Sequence, residues 1–378
     1  MSDQNIYEDR IKLFKDTIEL KKTERVPNLS NFFTWKILDS PYKLSEAMND
    51  YDKMERVVCD FHERYHFDAY MDLGTRNPIR VTDALGGGDH EVNDKTESIN
   101  YYDHVLMKSD EYQELLDNEV KFLWTKVFAR KFPDTTPEKL INAVQELMAY
   151  GQFNDKMTNK FVQEYHCPSV FNMNAVLMHP FEYLHNNYRG IKEVSIDLRK
   201  RRTELKDVIE KKFETQMLPA LDAALDLDTS AYVCDTYFPM LAHAILSPKQ
   251  FEDIYWPQLK QIIDKVVEKD KTIYIFCEST MLRFKDFFQD IPKGHVILHL
   301  EQDDIFEIHK ELPNICLAGG MTTDLLGNGT PRQCIDYSKK LIDELGNGFI
   351  FSQNKMVSFR NDCARENLLA VNEFIRNY

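Results

Sequence analysis

Apolar runs alternate with amphipathic stretches along the second half of the chain. Two of the amphipathic stretches carry helix start signals, because Ser247 and Thr330 each precede a proline and stand three residues before a glutamine. Short apolar runs rich in β-favouring residues predict five strands, at residues 230–235, 272–278, 295–301, 314–321 and 348–354. Since strands and helices take turns, we expect parallel strands joined by crossover helices.

The first half offers three further strand candidates, at residues 26–33, 67–74 and 168–176. Eight parallel strands are the number that closes into a (β/α)8 TIM barrel, which typically takes about 250 residues. The surplus of this chain of 378 residues lies in N-terminal helices and in a charged, helix-like segment. The pattern therefore predicts an α/β barrel as one domain over residues 1–378, with a helical insertion at about 105–165.

Composition narrows the possible classes of protein. A formal net charge of −15 argues against a nucleic-acid partner, because phosphate binding needs clustered Lys and Arg. The sequence has no run of 18 apolar residues and no signal-peptide core at its start, so we expect a cytoplasmic protein without a membrane segment. Seven scattered cysteines without a C-x-x-C pair predict reduced thiols rather than a disulfide framework or a zinc ribbon.

Chemically active residues stand where the predicted fifth and sixth strands end. The fifth runs into Cys277 and Glu278, and the sixth into His299 and Glu301. Because side chains alternate along a strand, His299 and Glu301 share a face, and both approach Glu278 if that face is the barrel interior. Enzymes built on parallel barrels place their chemistry at these carboxyl ends.

The end of the predicted fourth strand adds Asp235 and Tyr237 to this group. Acids and a histidine from three adjacent strand ends predict either a hard-metal site or a proton-transfer site. Glu278, Glu301 and Asp235 are the candidate catalytic acids, and Glu278 with His299 is the candidate metal pair. Candidate substrate contacts are Tyr237, Asn174, His179, Cys277, Met321 and Asn354.

Most of these residues also have a purely structural interpretation, and the sequence leaves both open. His299 is compatible with a hydrogen-bonded core histidine, and Glu301 with an acid that the dipole of a following helix favours. Cys277 is compatible with a small buried apolar residue. Asn174 and His179 either bind substrate or shape a loop.

Several segments resemble the uroporphyrinogen decarboxylase superfamily, and together they cover nearly the whole chain. The C-terminal third is the most specific part, and the segments are 24–32, 51–72, 179–190, 246–264, 317–354 and 366–378. The resemblance implies the barrel already predicted. True decarboxylases of this family carry Arg-Gln-Ala-Gly-Arg after the first strand, whereas residues 28–37 contain no arginine. Porphyrin decarboxylation is therefore the alternative rather than the main hypothesis.

A second branch of the superfamily, the corrinoid-dependent methyltransferases, includes enzymes that methylate a thiol. They hold zinc with His-x-Cys on the fifth strand and a further Cys after the eighth. Here residues 275–277 read Ile-Phe-Cys, which keeps the cysteine and lacks the histidine, and residues 352–357 contain no cysteine. This His-Cys-Cys site cannot be assembled, so methylcobamide:thiol methyl transfer also remains only an alternative.

The remaining branch demethylates methoxylated compounds, and members that cleave aryl methyl ethers resemble this chain in lacking His-x-Cys. They have been associated with a Glu and a His separated by 20 residues, and Glu278 and His299 show that separation. The resemblance implies a methyltransferase that demethylates a small methoxylated, aromatic compound onto the cobalt(I) of a partner corrinoid protein. It also implies a zinc ion at Glu278 and His299 with Asp235 or Glu301, and a substrate contact at Asn354. We further expect a homodimer. A non-enzymatic binding barrel is the third alternative.

Overall fold

The computed structural model describes residues 3–74, 78–88 and 90–378, and its centre is a curved parallel sheet. The strands are β1 (Asn28–Ser30), β2 (Ala69–Tyr70), β3 (His90–Asn93), β4 (Ser98–Tyr101), β5 (Thr236–Met240), β6 (Ile273–Cys277), β7 (Val296–Leu300), β8 (Cys316–Met321) and β9 (Phe349–Gln353). Seven of them form one sheet in the order β2-β1-β9-β8-β7-β6-β5, while β3 and β4 form a separate antiparallel hairpin.

The predicted third strand is present as a bridging segment rather than as a regular strand. Within residues 168–176, Ser169 pairs in parallel with Tyr70 of β2, and Val176 pairs in parallel with Tyr237 of β5. A short 3-10 turn interrupts the segment between these two bridges. The segment nevertheless joins the two edges of the seven-stranded sheet, so the predicted TIM-barrel class is confirmed.

The predicted fourth strand lies too early in the chain. The regular strand is Thr236–Met240, and residues 230–235 precede it. Val233 and Cys234 are apolar because they are buried at the amino-terminal entrance of the barrel, next to Val170. A buried apolar run is compatible with a strand or with its approach, and periodicity alone does not separate the two.

Helices cover the outside of the barrel. They are α1 (Asp3–Ile18), α2 (Trp35–Leu38), α3 (Leu44–Met48), α4 (Tyr51–Tyr65), α5 (Ile79–Ala84), α6 (Tyr112–Asp117), α7 (Glu119–Phe122), α8 (Ala129–Lys131), α9 (Pro137–Gln163), α10 (Pro180–Tyr183), α11 (Gly190–Lys200), α12 (Arg202–Lys212), α13 (Leu218–Leu225), α14 (Pro248–Ile254), α15 (Trp256–Glu268), α16 (Ile305–Glu311), α17 (Thr323–Asn328), α18 (Pro331–Leu345) and α19 (Arg365–Asn377). Both predicted capping boxes are confirmed, at Ser247 with Gln250 and at Thr330 with Gln333.

Short π and 3-10 segments connect or extend these helices. The π segments are Leu123–Phe128, Leu184–Arg189 and Phe213–Met217, and the 3-10 segments are Met173–Ala175, Ala242–Ile245, Leu282–Phe288 and Arg360–Asp362. In the part of the chain that is described, no helix combines the length and the apolar character that crossing a membrane requires.

Side chains on the barrel strands divide into two buried layers. Tyr274 and Phe276 of β6 and Ile297 of β7 belong to the cluster that fills the barrel interior. The residues between them, such as Ile275 and Cys277, belong to the larger cluster between strands and helices. Helix α1 closes the amino-terminal end, since Phe14 and Ile18 pack into the interior cluster.

Helix α9 dominates the helical segment at 105–165 and rises beside the chain that follows β2. Its C-terminal part packs on the barrel, where the rings of Phe161 and Tyr70 are 5.1 Å apart. Further toward its N-terminus, Glu146 pairs with Arg80 of α5 at 2.7 Å. The N-terminal half of α9 therefore extends past the carboxyl end of β2. It exposes the large apolar side chains Ile141, Val144, Leu147 and Met148, which we call the α9 apolar stripe.

Candidate functional site

Two acids stand side by side at the carboxyl end of the barrel. Glu278 follows β6 directly and is exposed, while Glu301 follows β7 and is half-buried. The carboxylate of Glu301 accepts a hydrogen bond from the backbone N–H of Ser279, the residue after Glu278. Both acids continue the interior-facing alternation of their strands, below which the rings of Phe276 and His299 lie 4.6 Å apart. The predicted approach of Glu278 and Glu301 is thus present in the structure.

His299 is fully buried and uses both ring nitrogens in hydrogen bonds. Its Nε2 lies 2.9 Å from the carbonyl oxygen of Gln353 and 3.0 Å from that of Asn354, so this nitrogen carries the proton and donates. Its Nδ1 lies 2.5 Å from the hydroxyl of Tyr274, which donates to it. These bonds tie β6, β7 and the end of β9 together, and they occupy the lone pair that a metal would need.

The residues at this end of the barrel do not fit the predicted zinc ion. Zinc needs three or four ligands within about 2.0–2.3 Å of one point. In residues 3–74, 78–88 and 90–378, no group of three His, Cys, Asp or Glu side chains has a suitable arrangement. Since the ring nitrogens of His299 are also engaged, we assign no chemical step to a metal.

Asp235 lies at the opposite end of the barrel, so the expected arc of three strand ends is incomplete. It precedes β5 and borders a cavity of about 680 Å³ that Lys15, Lys271 and His295 also line. Its carboxylate accepts hydrogen bonds from the Lys271 ammonium at 3.0 Å and from the backbone N–H of Thr272 at 2.8 Å.

Burial by itself would raise the pKa of Asp235, but its hydrogen bonds outweigh that effect. The hydroxyl of Thr229 and the ammonium of Lys271 are the main donors, and together they hold this pKa below its ordinary value. An ionised, fully paired carboxylate at the amino-terminal end stabilises the barrel entrance. The prediction that Asp235 lies at the same end of the barrel as Glu278 and Glu301 is therefore wrong.

Cys277 and Met321 are also placed differently from the expected substrate contacts. Both side chains are completely buried in the layer between strands and helices, not in the barrel interior. Burial raises the pKa of the Cys277 thiol well above its ordinary value, and the charge of Asp303 adds to this effect. The geometry therefore supports the apolar, packing interpretation of both residues.

Tyr237 does face the interior, as expected of a residue that contacts substrate from a strand. Its ring stacks on Phe171 with centroids 4.2 Å apart, and the ring of Tyr274 lies 6.0 Å away on its other side. Asn174 is exposed on the 3-10 turn of the bridging segment. Both positions are open to the substrate-binding hypothesis, although Tyr237 is packed as part of an aromatic wall.

The side chains of Asn354 and His179 form hydrogen bonds with backbone groups instead of lining open space. The side-chain amide of Asn354 donates to the carbonyl of Glu301 at 2.7 Å and accepts from the N–H of Thr323 at 3.1 Å. His179 caps α10 by accepting from the N–H of Phe181 at 3.0 Å. Burial lowers the pKa of His179 to about 3, so the ring is neutral.

Glu182 is a buried acid at the same end of the barrel that sequence reasoning missed. Its carboxylate accepts hydrogen bonds from the N–H of Leu241 at 3.0 Å, from the N–H of Ala242 at 2.8 Å and from the hydroxyl of Tyr255 at 2.7 Å. Burial raises the pKa of Glu182 to about 7. In the sequence it occupies the third helical position after His179-Pro180, where an acid usually indicates only helix capping.

Lys36 is a second residue that the sequence did not single out. It lies on α2 after β1, is almost fully buried, and its ammonium pairs with Asp72 at 3.0 Å beyond the end of β2. The signal was present, because a Lys among the apolar residues 32–38 is unlike an ordinary surface lysine.

The first prediction concerns His299 as a structural cross-link. Replacing it in His299→Phe leaves the carbonyls of Gln353 and Asn354 buried without a donor, so the free energy of unfolding should fall by about 3 kcal/mol. Urea denaturation measures this loss. Tyr274→Phe, which removes a single hydroxyl, should cost about 1 kcal/mol. Equal stability of His299→Phe and the unsubstituted protein would contradict the cross-linking role.

The second prediction concerns the thiol of Cys277. Since its pKa is raised and its side chain is inaccessible, iodoacetamide at pH 8 should leave Cys277 unmodified in the folded protein over hours. Peptide mass spectrometry reads the modification, with protein unfolded in urea as the positive control. Rapid alkylation of folded protein at this position would show a thiol that opens to solvent.

Comparison with known proteins places this barrel in a family. No curated protein matches the chain in sequence. A solved structure of a methyltransferase from Methanosarcina mazei is similar, with a TM-score of 0.64, 13% sequence identity and 97% of each chain covered. At this identity the similarity establishes the shared fold.

The family model described as uroporphyrinogen decarboxylase (URO-D) matches residues 181–377. This region runs from α10 through α19 and includes β5 to β9, the strands whose ends carry Glu278 and Glu301. Because the match spans more than half of the 378 residues, the chain belongs to the URO-D family.

Proposed function

We propose that this protein is a methyltransferase that removes the methyl group of a small methoxylated aromatic compound and passes it to the cobalt(I) of a partner corrinoid protein. The observation that carries the proposal is the pair of carboxyl groups, Glu278 and Glu301, at the carboxyl end of the barrel. The two acids stand above the packed rings of Phe276, Tyr237 and Phe171, which give the opening an aromatic floor suited to a flat substrate.

The chemistry explains why an acid is needed. Cobalt(I) on the partner is the methyl acceptor and supplies the nucleophile that attacks the methyl carbon. As the new bond to carbon forms, the carbon–oxygen bond breaks and its electron pair stays on the ether oxygen. We assign to Glu278 the proton that this oxygen takes up, since Glu278 is the exposed acid of the pair. A positioned general acid contributes about 10²–10⁴-fold to the rate.

Glu301 has a positioning role in this scheme. Its carboxylate holds the N–H of Ser279, and its own carbonyl is held by Asn354 at 2.7 Å. Glu301 is thus itself held in place while its carboxylate fixes the turn after β6, which keeps Glu278 oriented at the opening. Fixed orientation of a reacting group lowers the entropic part of the barrier.

The two enzymatic alternatives have less support from the geometry. A porphyrin with many carboxylates needs cations, but the end of the barrel presents Glu278 and Glu301, and Lys36 is already paired with Asp72. Thiol activation needs an accessible cysteine among metal ligands, whereas Cys277 faces the helices.

The third prediction tests the reaction itself. Incubation with a reduced corrinoid protein and a panel of methoxyarenes should produce the absorbance of methyl-cobalt with at least one of them. Glu278→Gln should lower the rate at least about 100-fold, because it keeps the size and removes the acid. Cys277→Ala should retain most of the rate.

The matched control for this experiment is Glu252→Gln, at an exposed acid on α14, which should leave the rate unchanged. If no methoxyarene in the panel produced the absorbance of methyl-cobalt, this result would contradict the proposed substrate class. An inactive Cys277→Ala beside an active Glu278→Gln would indicate thiolate chemistry. Turnover of uroporphyrinogen without a corrinoid protein would favour the decarboxylase.

The partner must bring its cobalt to the end of the barrel, and the α9 apolar stripe extends beside that end. Ile141, Val144 and Met148 follow the spacing of one helix face, and each is more than half exposed. Exposed apolar patches of this kind usually mark protein contacts. We propose that the corrinoid protein docks on the stripe, because this half of α9 extends past the carboxyl end of β2.

The fourth prediction compares two valine substitutions. Val144→Glu places a charge in the stripe and should raise the KM for the corrinoid protein about tenfold or more, without changing the rate with free cob(I)alamin. Val120→Glu is the control, because Val120 is also a valine that is more than half exposed but lies on α7 outside the stripe. If both variants changed this KM equally, or if neither changed it, the α9 apolar stripe would not be part of the docking surface.

A further inference from the structure

The turn after β6 carries Glu278, and the next residue has an unusual backbone conformation. Ser279 has a φ of 61°, in the left-handed region that residues other than glycine rarely adopt. A left-handed residue at this point turns the chain away from the direction of β6, which ends at Cys277. The conformation of Ser279 therefore fixes the place from which the side chain of Glu278 projects.

A left-handed serine persists only where its surroundings hold it, and here the chain after β7 does so. The carboxylate of Glu301 accepts a hydrogen bond from the N–H of Ser279. The N–H of Gln302 donates to the carbonyl oxygen of Ser279 at 3.2 Å. Both backbone groups of Ser279 are thus bound by two consecutive residues of one neighbouring segment.

Asp303 holds the same turn two residues further on, and the proposed reaction gives it no role. One of its carboxylate oxygens accepts from the N–H of Met281 at 2.7 Å, and the other accepts from the N–H of Leu282 at 3.2 Å. Hydrogen bonds from a backbone N–H to an ionised carboxylate are stronger than those between neutral groups. Since Asp303 is half-buried, water competes with these bonds less than it would at an exposed position.

The far end of the turn is fixed from the side of β5. The guanidinium of Arg283 donates to the carbonyl oxygens of His243 at 3.1 Å and of Ala244 at 2.7 Å. Met281 and Phe284 are completely buried in the layer under the helices. A shift of the turn therefore breaks contacts on both sides.

Asp303 also has a purely structural interpretation, because its two N–H partners stand at the start of the 3-10 segment Leu282–Phe288. The next residue, Asp304, has such a role, since its carboxylate caps α16 by accepting from the N–H of Phe306 at 2.9 Å. Asp303 differs in what it holds, because its partners belong to the turn that begins at Glu278. The two interpretations predict different effects on catalysis.

We propose that Asp303 is a positioning residue for Glu278. Together with Glu301 it holds the turn in which Ser279 is left-handed, and this directs the carboxyl group of Glu278 to the opening of the barrel. Asp303 acts through the backbone and does not touch the substrate. The catalytic part of this inference rests on the proposed function of Glu278, since a proton donor contributes most when its position is fixed before the reaction.

Hydrogen–deuterium exchange read by mass spectrometry tests the hold on the turn without any substrate. Asp303→Asn replaces one accepting oxygen by an amide that cannot accept, so a peptide covering residues 278–284 should exchange about tenfold faster. Asp304→Asn is the matched control, because asparagine caps a helix as well as aspartate does, and it should leave this peptide unchanged. Unchanged exchange in Asp303→Asn would overturn the hold.

Methyl transfer provides the second readout. Asp303→Asn should lower kcat about tenfold or more and leave the KM for the methoxyarene within about twofold, because only the proton donor is displaced. In a Glu278→Gln background the same substitution should have no further effect, since Asp303 acts through Glu278. An equal loss of rate in both backgrounds would indicate a purely structural residue and overturn the positioning role.

Substitutions of Ser279 test the left-handed conformation independently of Asp303. Ser279→Gly should keep the rate, because glycine adopts a positive φ without steric cost. Ser279→Val should lower the rate, because a β-branched residue resists this conformation. Equal rates of the two variants would show that the conformation of Ser279 does not position Glu278.

These readouts separate the two hypotheses. If exchange in the turn responds to Asp303→Asn but no methoxyarene is demethylated, the hold on the turn stands and the proposed reaction fails. If methyl transfer depends on Glu278 while Asp303→Asn leaves kcat unchanged, the reaction stands and the positioning role fails.

Discussion

Every strand of the barrel between β5 and β9 is buried on both faces, and the rest of the structure depends on this constraint. The interior takes one set of side chains, and the layer under the helices takes the alternate set. Because the period of a strand is two, the placement of one residue decides the placement of all others on that strand. Tyr274 and Phe276 point inward, so Cys277 must point outward and Glu278 must emerge at the opening.

Where strands end, backbone N–H and C=O groups lose the hydrogen-bond partners that a neighbouring strand provides. Polar side chains take the place of these partners. His299 donates to two carbonyls at the end of β9, Asn354 holds the carbonyl of Glu301, and Glu182 holds two N–H groups after β5. Residues of the types that make active sites thus have a structural role here, as hydrogen-bond partners of the backbone. These hydrogen bonds position the acids at the opening, Glu278 above all.

Several features could be predicted from local patterns because their physical causes are local. The capping boxes at Ser247 and Thr330 depend on four consecutive residues, and both helices begin where expected. Alternation along β6 and β7 placed Glu278, His299 and Glu301 on one side, as found. The start of β5 could not be placed in this way, since Val233 and Cys234 are buried by α1 and by the bridging segment, which are distant in sequence.

The sequence by itself determined the barrel class, the alternation of the strands and the presence of acids at two adjacent strand ends, because these follow from short-range periodicity and burial. Only the tertiary structure decided which polar residues are buried in structural hydrogen bonds. It moved Asp235 to the opposite end, engaged both nitrogens of His299 and buried Glu182 against the N–H groups of Leu241 and Ala242. The physical reason is that hydrogen-bond partners and local dielectric are set by packing between distant segments, which no local pattern encodes.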